Sequence, residues 1–351
     1  MAVPLNVQQM LDVFKYACTH NSTSIRWDKT AIQGIEKTLL RDPKLERLYA
    51  LIYQNASARK QLDYFDVTTQ ALLKKTTYAT VADIAVKRSF IQQLVPLLED
   101  NGISIILLKG MAFNDDLYPA FAPRGTSDID ILIKPDDNEK FTLMLAELAR
   151  PVAVDSDQPF DGLYEKSWVV KASANQFIDV HTHLTNPLLF EIDSTALWQT
   201  SAVHCAYQSE NVRVMNDENT CAYLLTHMIN DTNFYHYNLI DLHEIVAKGQ
   251  LSALKLKSVV KEWGVSKAYC YVQQIGKKHL LTDTNLQAGF FHSNRQMTGL
   301  RWFFINRVML IDTQEKSVLQ RVQQLLTYFL FVDSTQNVVK VIKKYLITRF
   351  S

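Results

Sequence analysis

Apolar residues recur at three- and four-residue spacing through the first hundred positions, which is the period of a helix with one buried face. This pattern predicts helices over residues 7–18, 29–54, 60–77 and 82–100. Pro96 should kink the last of these helices or restart a turn, and Asn101-Gly102 is a common signal for a helix end. The N-terminal part of the chain is therefore predicted to be helical.

Short β-branched runs replace the helical pattern in the middle of the chain. They predict strands over residues 103–108, 128–133, 164–171 and 176–183, and a further short pair over 203–208 and 212–215. The third and fourth strands are expected to pair across a turn at residues 172–175. Helical stretches at 111–118 and 135–149 lie between strands, so we expect an α/β core.

Helical spacing returns from Asp217 onward, with one apolar stripe ending near Met228 and a second ended by Gly249. Further helices are predicted at 252–263, 266–280, 298–310, 315–331 and 336–348. The predicted organisation is a helical N-terminal region over residues 1–80, a core over 81–215 and a helical C-terminal domain over 216–351.

The composition mainly excludes certain classes of protein and of site. The 351 residues are 47% hydrophobic with a net charge of +1, so there is no strong general patch for nucleic acid. No run approaches the ~18 apolar residues of a membrane span, and the first residues lack the features of a signal peptide. The four cysteines are far apart with no CxxC pair, so we interpret them as reduced thiols of a cytoplasmic protein rather than zinc ligands.

The candidate chemistry begins in the run Ser127-Asp128-Ile129-Asp130-Ile131-Leu132-Ile133. Side chains alternate along a strand, so Asp128 and Asp130 share one face, roughly 7 Å apart, while the isoleucines face a core. Two like charges on a buried strand are costly without a cation. Because Mg²⁺ prefers carboxylate oxygens, the pattern predicts a metal site for phosphate chemistry.

A later run, residues 177–183, supplies a third carboxylate. Alternation puts Asp179, His181 and His183 on one face. If this strand lies beside the first, Asp179 completes a triad that can hold two Mg²⁺ ions, with Mn²⁺ as a substitute. His181 either orients a carboxylate, contacts substrate or is simply a satisfied strand histidine.

Four residues near the acids are candidates for nucleotide binding. Gly110, between a strand and a helix, lets backbone amides approach an anion. Lys109 could reach a triphosphate as a point charge, and Arg124 could neutralise a phosphoryl oxygen or clamp the acidic strand. Ser127 could donate to a phosphate or cap the strand.

These residues carry a family resemblance. Lys109-Gly110, Tyr118-Pro119, Arg124, Asp128-Ile129-Asp130 and Asp179-Val180-His181 follow in an order that resembles the uncharacterised nucleotidyltransferase family of the polymerase-β-type superfamily. The resemblance covers roughly residues 85 to 250.

The resemblance implies an α+β fold, a small mixed sheet with flanking helices, and Mg²⁺-dependent transfer of a nucleoside monophosphate from an NTP such as ATP. It makes Asp128 and Asp130 metal ligands and Asp179 the third carboxylate. The wider superfamily usually has Gly-Ser or Gly-Gly where this chain has Lys109-Gly110-Met111.

The resemblance reaches Thr226-His227 and Ile240-Asp241-Leu242 in the helical part. His227 and Asp241 are therefore candidates for contact with substrate or for support of the site. A polar pair that bridges two helices is the alternative interpretation.

The sequence therefore predicts a cytoplasmic, Mg²⁺-dependent nucleotidyltransferase whose acceptor is a small molecule, a glycan or a macromolecule. P-loop, GxGxxG, HExxH and GxSxG motifs are absent. Three other functions stay open: a toxin-type transferase acting on tRNA or protein, a phosphosugar or phosphocholine-like transferase, and a non-catalytic nucleotide-binding module.

Overall fold

The computed structural model of the chain describes residues 7–18, 27–114, 116–152, 164–173, 175–232, 237–275 and 318–350. The helix predicted at 298–310 lies outside these residues, as does the end of the one predicted at 266–280.

Four helices open the described chain: α1 (Val7–Ala17), α2 (Lys29–Arg41), α3 (Tyr49–Ala58) and α4 (Val67–Asn101). Asp28 begins α2 because its side chain accepts a hydrogen bond from the Ala31 amide. The single helix predicted over 29–54 is wrong. Pro43 keeps Asp42 in an extended conformation, and a 3₁₀ turn over Pro43–Leu48 separates α2 from α3.

The two helices predicted over 60–77 and 82–100 are one helix, because α4 begins at Val67 and continues through residues 78–81 and through Pro96. Proline removes one hydrogen bond from a helix interior. Leu94 and Leu98 on either side of it are fully buried, and this packing keeps the helix continuous. Gly102, at φ +62°, then ends α4 in the left-handed conformation, as the sequence predicted.

Seven strands form one mixed sheet in the order β3-β4-β5-β2-β1-β7-β6. They are β1 (Ile105–Leu108), β2 (Asp128–Leu132), β3 (Ala149–Pro151), β4 (Glu165–Val170), β5 (Phe177–His181), β6 (Ala202–Val203) and β7 (Val212–Val214). β2 pairs with β5 in parallel and with β1 in antiparallel. The predicted hairpins over 164–183 and 203–215 are both present, as β4–β5 and β6–β7.

Three helices connect strands: α5 (Lys109–Phe113), α6 (Asn138–Leu145) and α7 (Ser194–Thr200). The predicted helix at 111–118 is thus shorter and begins two residues earlier. A 3₁₀ turn, Pro135–Asp137, precedes α6. The α+β class, with a small mixed sheet and flanking helices, is confirmed.

The two faces of the sheet pack against different partners. Ile129 and Ile131 of β2 belong to a core with Leu94 of α4 and Phe141 of α6. Leu132, on the other face, belongs to a larger core with the N- and C-terminal helices. Since Asp128 and Asp130 alternate with the isoleucines, they face the helical regions.

The described residues of the C-terminal part form six helices: α8 (Asp217–Asn230), α9 (Asn238–Ala247), α10 (Ala253–Glu262), α11 (Ser266–Ile275), α12 (Val318–Phe331) and α13 (Thr335–Phe350). In the described part of the chain, no helix combines the length and hydropathy that crossing a membrane requires. α4 runs through the predicted boundary between residues 80 and 81, and the domain division itself stays a prediction.

Pro96 gives a direct test of how α4 is held together. Its side chain is exposed, so Pro96→Ala restores a backbone donor without opening a cavity. We expect the free energy of unfolding to rise by about 1–3 kcal/mol in urea denaturation. Gln93→Ala, at another exposed position of α4, should change it by less than about 0.5 kcal/mol. Equal effects of the two substitutions would contradict this account.

Candidate active site

The three predicted carboxylates meet on one face of the sheet. Asp130 of β2 lies directly beside Asp179 of the parallel strand β5, and Asp128 precedes Asp130 by two residues on the same face. Asp130 is buried, whereas Asp128 and Asp179 are half-buried. The acids therefore extend from the interior toward solvent.

Two basic side chains contact the buried carboxylate of Asp130. Lys109 Nζ lies 2.7 Å from Asp130 Oδ1, and His181 Nε2 lies 3.3 Å from the same oxygen. Burial by itself would raise the pKa of Asp130, but Lys109 and His181 outweigh it and hold that pKa well below its usual range. Asp130 is therefore ionised, with its charge already compensated.

Asp179 has the opposite electrostatic environment. Burial has the largest effect on the pKa of its carboxyl and raises it. A hydrogen bond from Ser167 lowers this pKa, whereas the nearby Glu165, Asp130 and Asp128 raise it. The pKa of Asp179 is raised to about 6. A divalent cation among these acids would relieve the repulsion, and oxygen-only donors are the set that Mg²⁺ prefers.

Two residues of β4 belong to this site although the sequence analysis did not name them. Ser167 Oγ donates to Asp179 Oδ1 at 2.6 Å, and Glu165 Oε2 lies 3.5 Å from His181 Nδ1. Both follow from the β4–β5 register, in which Ser167 faces Asp179 and Glu165 faces His181. The predicted turn at 172–175 is one residue out of this register, because it would have put Trp168 opposite Asp179.

Lys109 reaches Asp130 from the junction of β1 and α5. Its backbone has φ +46°, an uncommon conformation for a residue with a side chain, and it turns the chain directly from strand to helix. Its ammonium also lies 5.9 Å from the ring centre of Tyr223, a buried residue of α8 that carries no sequence signal. About a fifth of the Lys109 side chain, 19%, is exposed.

Gly110 sits against Thr126. A Cβ added at Gly110 would lie 2.5 Å from Thr126 Cβ, closer than atoms can approach. Thr126 in turn donates to the Asp128 carbonyl at 3.2 Å. Gly110 is therefore required for packing beside the acidic strand, and its predicted contact with phosphate stays a prediction.

Arg124 and Asp241, which the sequence offered as separate candidates, form a buried ion pair. Arg124 Nε lies 2.7 Å from Asp241 Oδ1, with 2% and 0% of the two side chains exposed. Tyr118 donates its hydroxyl to the same carboxylate, and the Tyr237 ring centre lies 4.7 Å from the guanidinium carbon. Arg124 thus clamps the segment before β2 to α9 rather than pointing at the acids.

Ser127 and His227 lie at the margins of the candidate active site. Ser127 is exposed beside Asp128. His227 Nδ1 lies 2.6 Å from Asp231 Oδ2, and its ring packs edge-on against Tyr223 at 6.2 Å. His227 therefore reaches the site only through Tyr223 and Lys109.

Two cavities of about 410 Å³ border this face. The first is lined by Leu132, His183, Phe190 and Trp198 among others, next to the end of β5. The second is lined by Lys109, Asp217 and Lys248 among others and lies along β1 and β7. Both are large enough for part of a small ligand.

Comparison with known proteins gives one family. A family model described as an uncharacterised nucleotidyltransferase matches residues 37–280, more than two thirds of the 351 residues. The resemblance seen in the motifs is thereby confirmed, and the match extends it to the end of α2 and all of α3 on one side and to α10 and α11 on the other. A search of curated proteins finds no match.

The packing role of Gly110 predicts a large effect of one methyl group. Gly110→Ala should lower the free energy of unfolding by about 1–3 kcal/mol, because the new Cβ overlaps the branched Thr126 side chain. Gly34→Ala is the matched control, since no atom lies within 4 Å of its added Cβ in helix α2. It should be neutral or stabilising by up to about 1 kcal/mol in the same urea titration. Similar effects at both glycines would refute the packing argument.

The buried ion pair predicts a second effect on stability. Arg124→Leu should lower the free energy of unfolding by about 3–5 kcal/mol, because Asp241 is left charged in the core. Adding Asp241→Asn should restore part of that loss, since asparagine is neutral and still accepts from Tyr118.

The control for this pair is Lys248→Leu, which breaks the more exposed Lys248–Asp116 pair and should cost about 1 kcal/mol or less. If Arg124→Leu lowers the free energy of unfolding no more than Lys248→Leu does, the Arg124–Asp241 pair does not clamp the structure.

Proposed function

Because the chain belongs to the uncharacterised nucleotidyltransferase family, we propose that it transfers a nucleoside monophosphate from an NTP to an acceptor, with Mg²⁺ as cofactor. The observation that carries the proposal is the register of β2 with β5. It puts Asp130 beside Asp179, with Asp128 on the same face. This arrangement supplies oxygen donors at the edge of a buried, partly neutralised site.

The residues present fit a two-ion site. Asp128 and Asp130 would hold both Mg²⁺ ions, and Asp179 would hold the ion nearer the acceptor; Mn²⁺ suits the same donors. Bound there, the ions would polarise the phosphoryl oxygens and favour the ionised form of the acceptor hydroxyl.

In the proposed reaction an acceptor oxygen forms a bond to the α-phosphorus while the bond to the pyrophosphate oxygen breaks. Asp179 would help to activate the acceptor hydroxyl by holding the ion that favours loss of its proton to water, since an ion bound there would itself lower the raised pKa of the Asp179 carboxyl. Ser167, which donates to Asp179 Oδ1, would fix the orientation of that carboxylate.

Lys109 has two roles in this proposal. It compensates the charge of Asp130, and its exposed part can contact a triphosphate oxygen beside the acids. His181 orients Asp130 from the other side. Ser127 and the Gly110 backbone stay proposed nucleotide contacts. Arg124, which Asp241 holds in the interior, would position the segment that leads to Asp128.

The acceptor class and the compartment are part of the proposal. The cavity at the end of β5 and the cavity that Lys109 lines are suited to a small molecule or to one group of a larger acceptor. The four cysteines are free thiols, which fits a cytoplasmic enzyme.

Calorimetric titration with non-hydrolysable analogues of the four NTPs, with and without Mg²⁺, tests the proposal. We expect Mg²⁺-dependent binding of at least one analogue. Asp128→Asn and Asp179→Asn should weaken it about 10-fold or more, because each removes a proposed ligand. Asp136→Asn removes an exposed acid outside the site and should leave it unchanged.

Asp130→Asn is a poorer test, because it also leaves Lys109 without its partner carboxylate. Absence of binding to every analogue by the folded wild type would contradict the proposal. Binding of a phosphosugar or phosphocholine donor instead would assign the same site to another phosphoryl group.

A further inference from the structure

A second cluster of ligating side chains lies in the core, where α1 ends against α9. It consists of Cys18, His243 and Glu244, whose ligand atoms all lie within 4.8 Å of one another. The exposed fractions of the three residues are 0%, 2% and 0%. Cys18 and His243 are 225 residues apart in the sequence (243 − 18), so no short spacing motif predicts the cluster.

His243 is the unusual member. Nδ1 lies 3.4 Å from Glu244 Oε1, yet among the described residues neither of its ring nitrogens has a hydrogen-bond partner. Buried polar groups are almost always hydrogen-bonded, and an exception calls for an explanation such as an ion. A histidine whose ring nitrogen lies within 4.8 Å of a thiol and a carboxylate is in reach of a shared metal ion.

The buried carboxylates on α9 also favour a bound cation. Asp241 and Glu244 lie three residues apart on α9 and are both fully buried. The guanidinium of Arg124 contacts Asp241, whereas the carboxylate of Glu244 repels that of Asp241. A cation among the cluster would reduce this repulsion in the interior.

The donor set selects the class of metal. One sulfur, one imidazole nitrogen and one carboxylate oxygen suit Zn²⁺, whereas Mg²⁺ and Ca²⁺ prefer oxygen alone. Three protein ligands leave one position of a tetrahedron for water or another ligand. The thiol of Cys18 would lose its proton on binding, as in other zinc–cysteine sites.

We propose that Cys18, His243 and Glu244 form a Zn²⁺ site that fastens α1 to α9, separate from the carboxylates of the sheet. Such a site would hold α9 in place behind the Arg124–Asp241 pair. It replaces our interpretation of all four cysteines as simple reduced thiols.

The test uses the full-length chain, stripped of metal and titrated with Co²⁺ and then Zn²⁺. We expect one Co²⁺ per chain with an absorption band from sulfur-to-cobalt charge transfer, displacement by Zn²⁺, and a higher melting temperature with Zn²⁺ bound. Cys18→Ser should lose the band, and His243→Gln should weaken binding about 10-fold or more. Cys221→Ser, which alters an equally buried thiol on α8, should retain both.

The wild-type spectrum decides the matter even if a variant fails to fold. A folded wild-type chain without the sulfur-to-cobalt band at one equivalent would overturn the proposal. So would a band that survives in Cys18→Ser. Neither result bears on the binding of NTP with Mg²⁺, which uses other residues.

Discussion

The carboxylate of Asp130, buried in the middle of the sheet, is the constraint around which this site is organised. An ionised group 3% exposed is stable only with a cation beside it, and Lys109 supplies that cation at 2.7 Å. To reach it, the chain turns from β1 into α5 at a residue with φ +46°. Gly110, the next residue, has no room for a side chain because Thr126 occupies the space. The Lys-Gly pair is thus explained by geometry before any ligand is considered.

The sequence could predict the features that depend on the alternation of side chains along a single strand. Asp128 and Asp130 had to share a face of β2, and the bounds of β1, β2, β4, β5 and β7 were predicted to within two residues. β3 was missed because a helix was predicted up to residue 149, and β6 is Ala202–Val203 where a strand over 203–208 was expected. The parallel pairing that brings Asp179 beside Asp130 could only be assumed, since no short-range signal fixes which strands become neighbours. The break missed at Pro43 has a local cause, and the continuous helix at Pro96 has a tertiary one, because burial of Leu94 and Leu98 overrides helix propensity.

Contacts between distant parts of the chain were beyond the sequence. Arg124 looked like a phosphate ligand because of its position just before the acids, yet its partner is Asp241 on α9. Tyr223 of α8 lies beside Lys109 with no pattern to announce it. In both cases the deciding factor is which helix packs over the acidic face, and that is a property of the assembled core.

These contacts indicate that the sheet and the helices α8 and α9 belong to one folding unit. Tyr223 and Asp241 lie on α8 and α9, beyond the α/β core proposed from the sequence, and they meet Lys109 and Arg124, the cations on either side of the acidic strand. A core cut off before α8 would leave Arg124, otherwise 2% exposed, without its carboxylate. The family match, over residues 37–280, contains the sheet and both helices. The acidic face is therefore completed by the C-terminal helices, because only with α9 does Arg124 have its carboxylate partner and only with α8 does Lys109 have the ring of Tyr223 beside it.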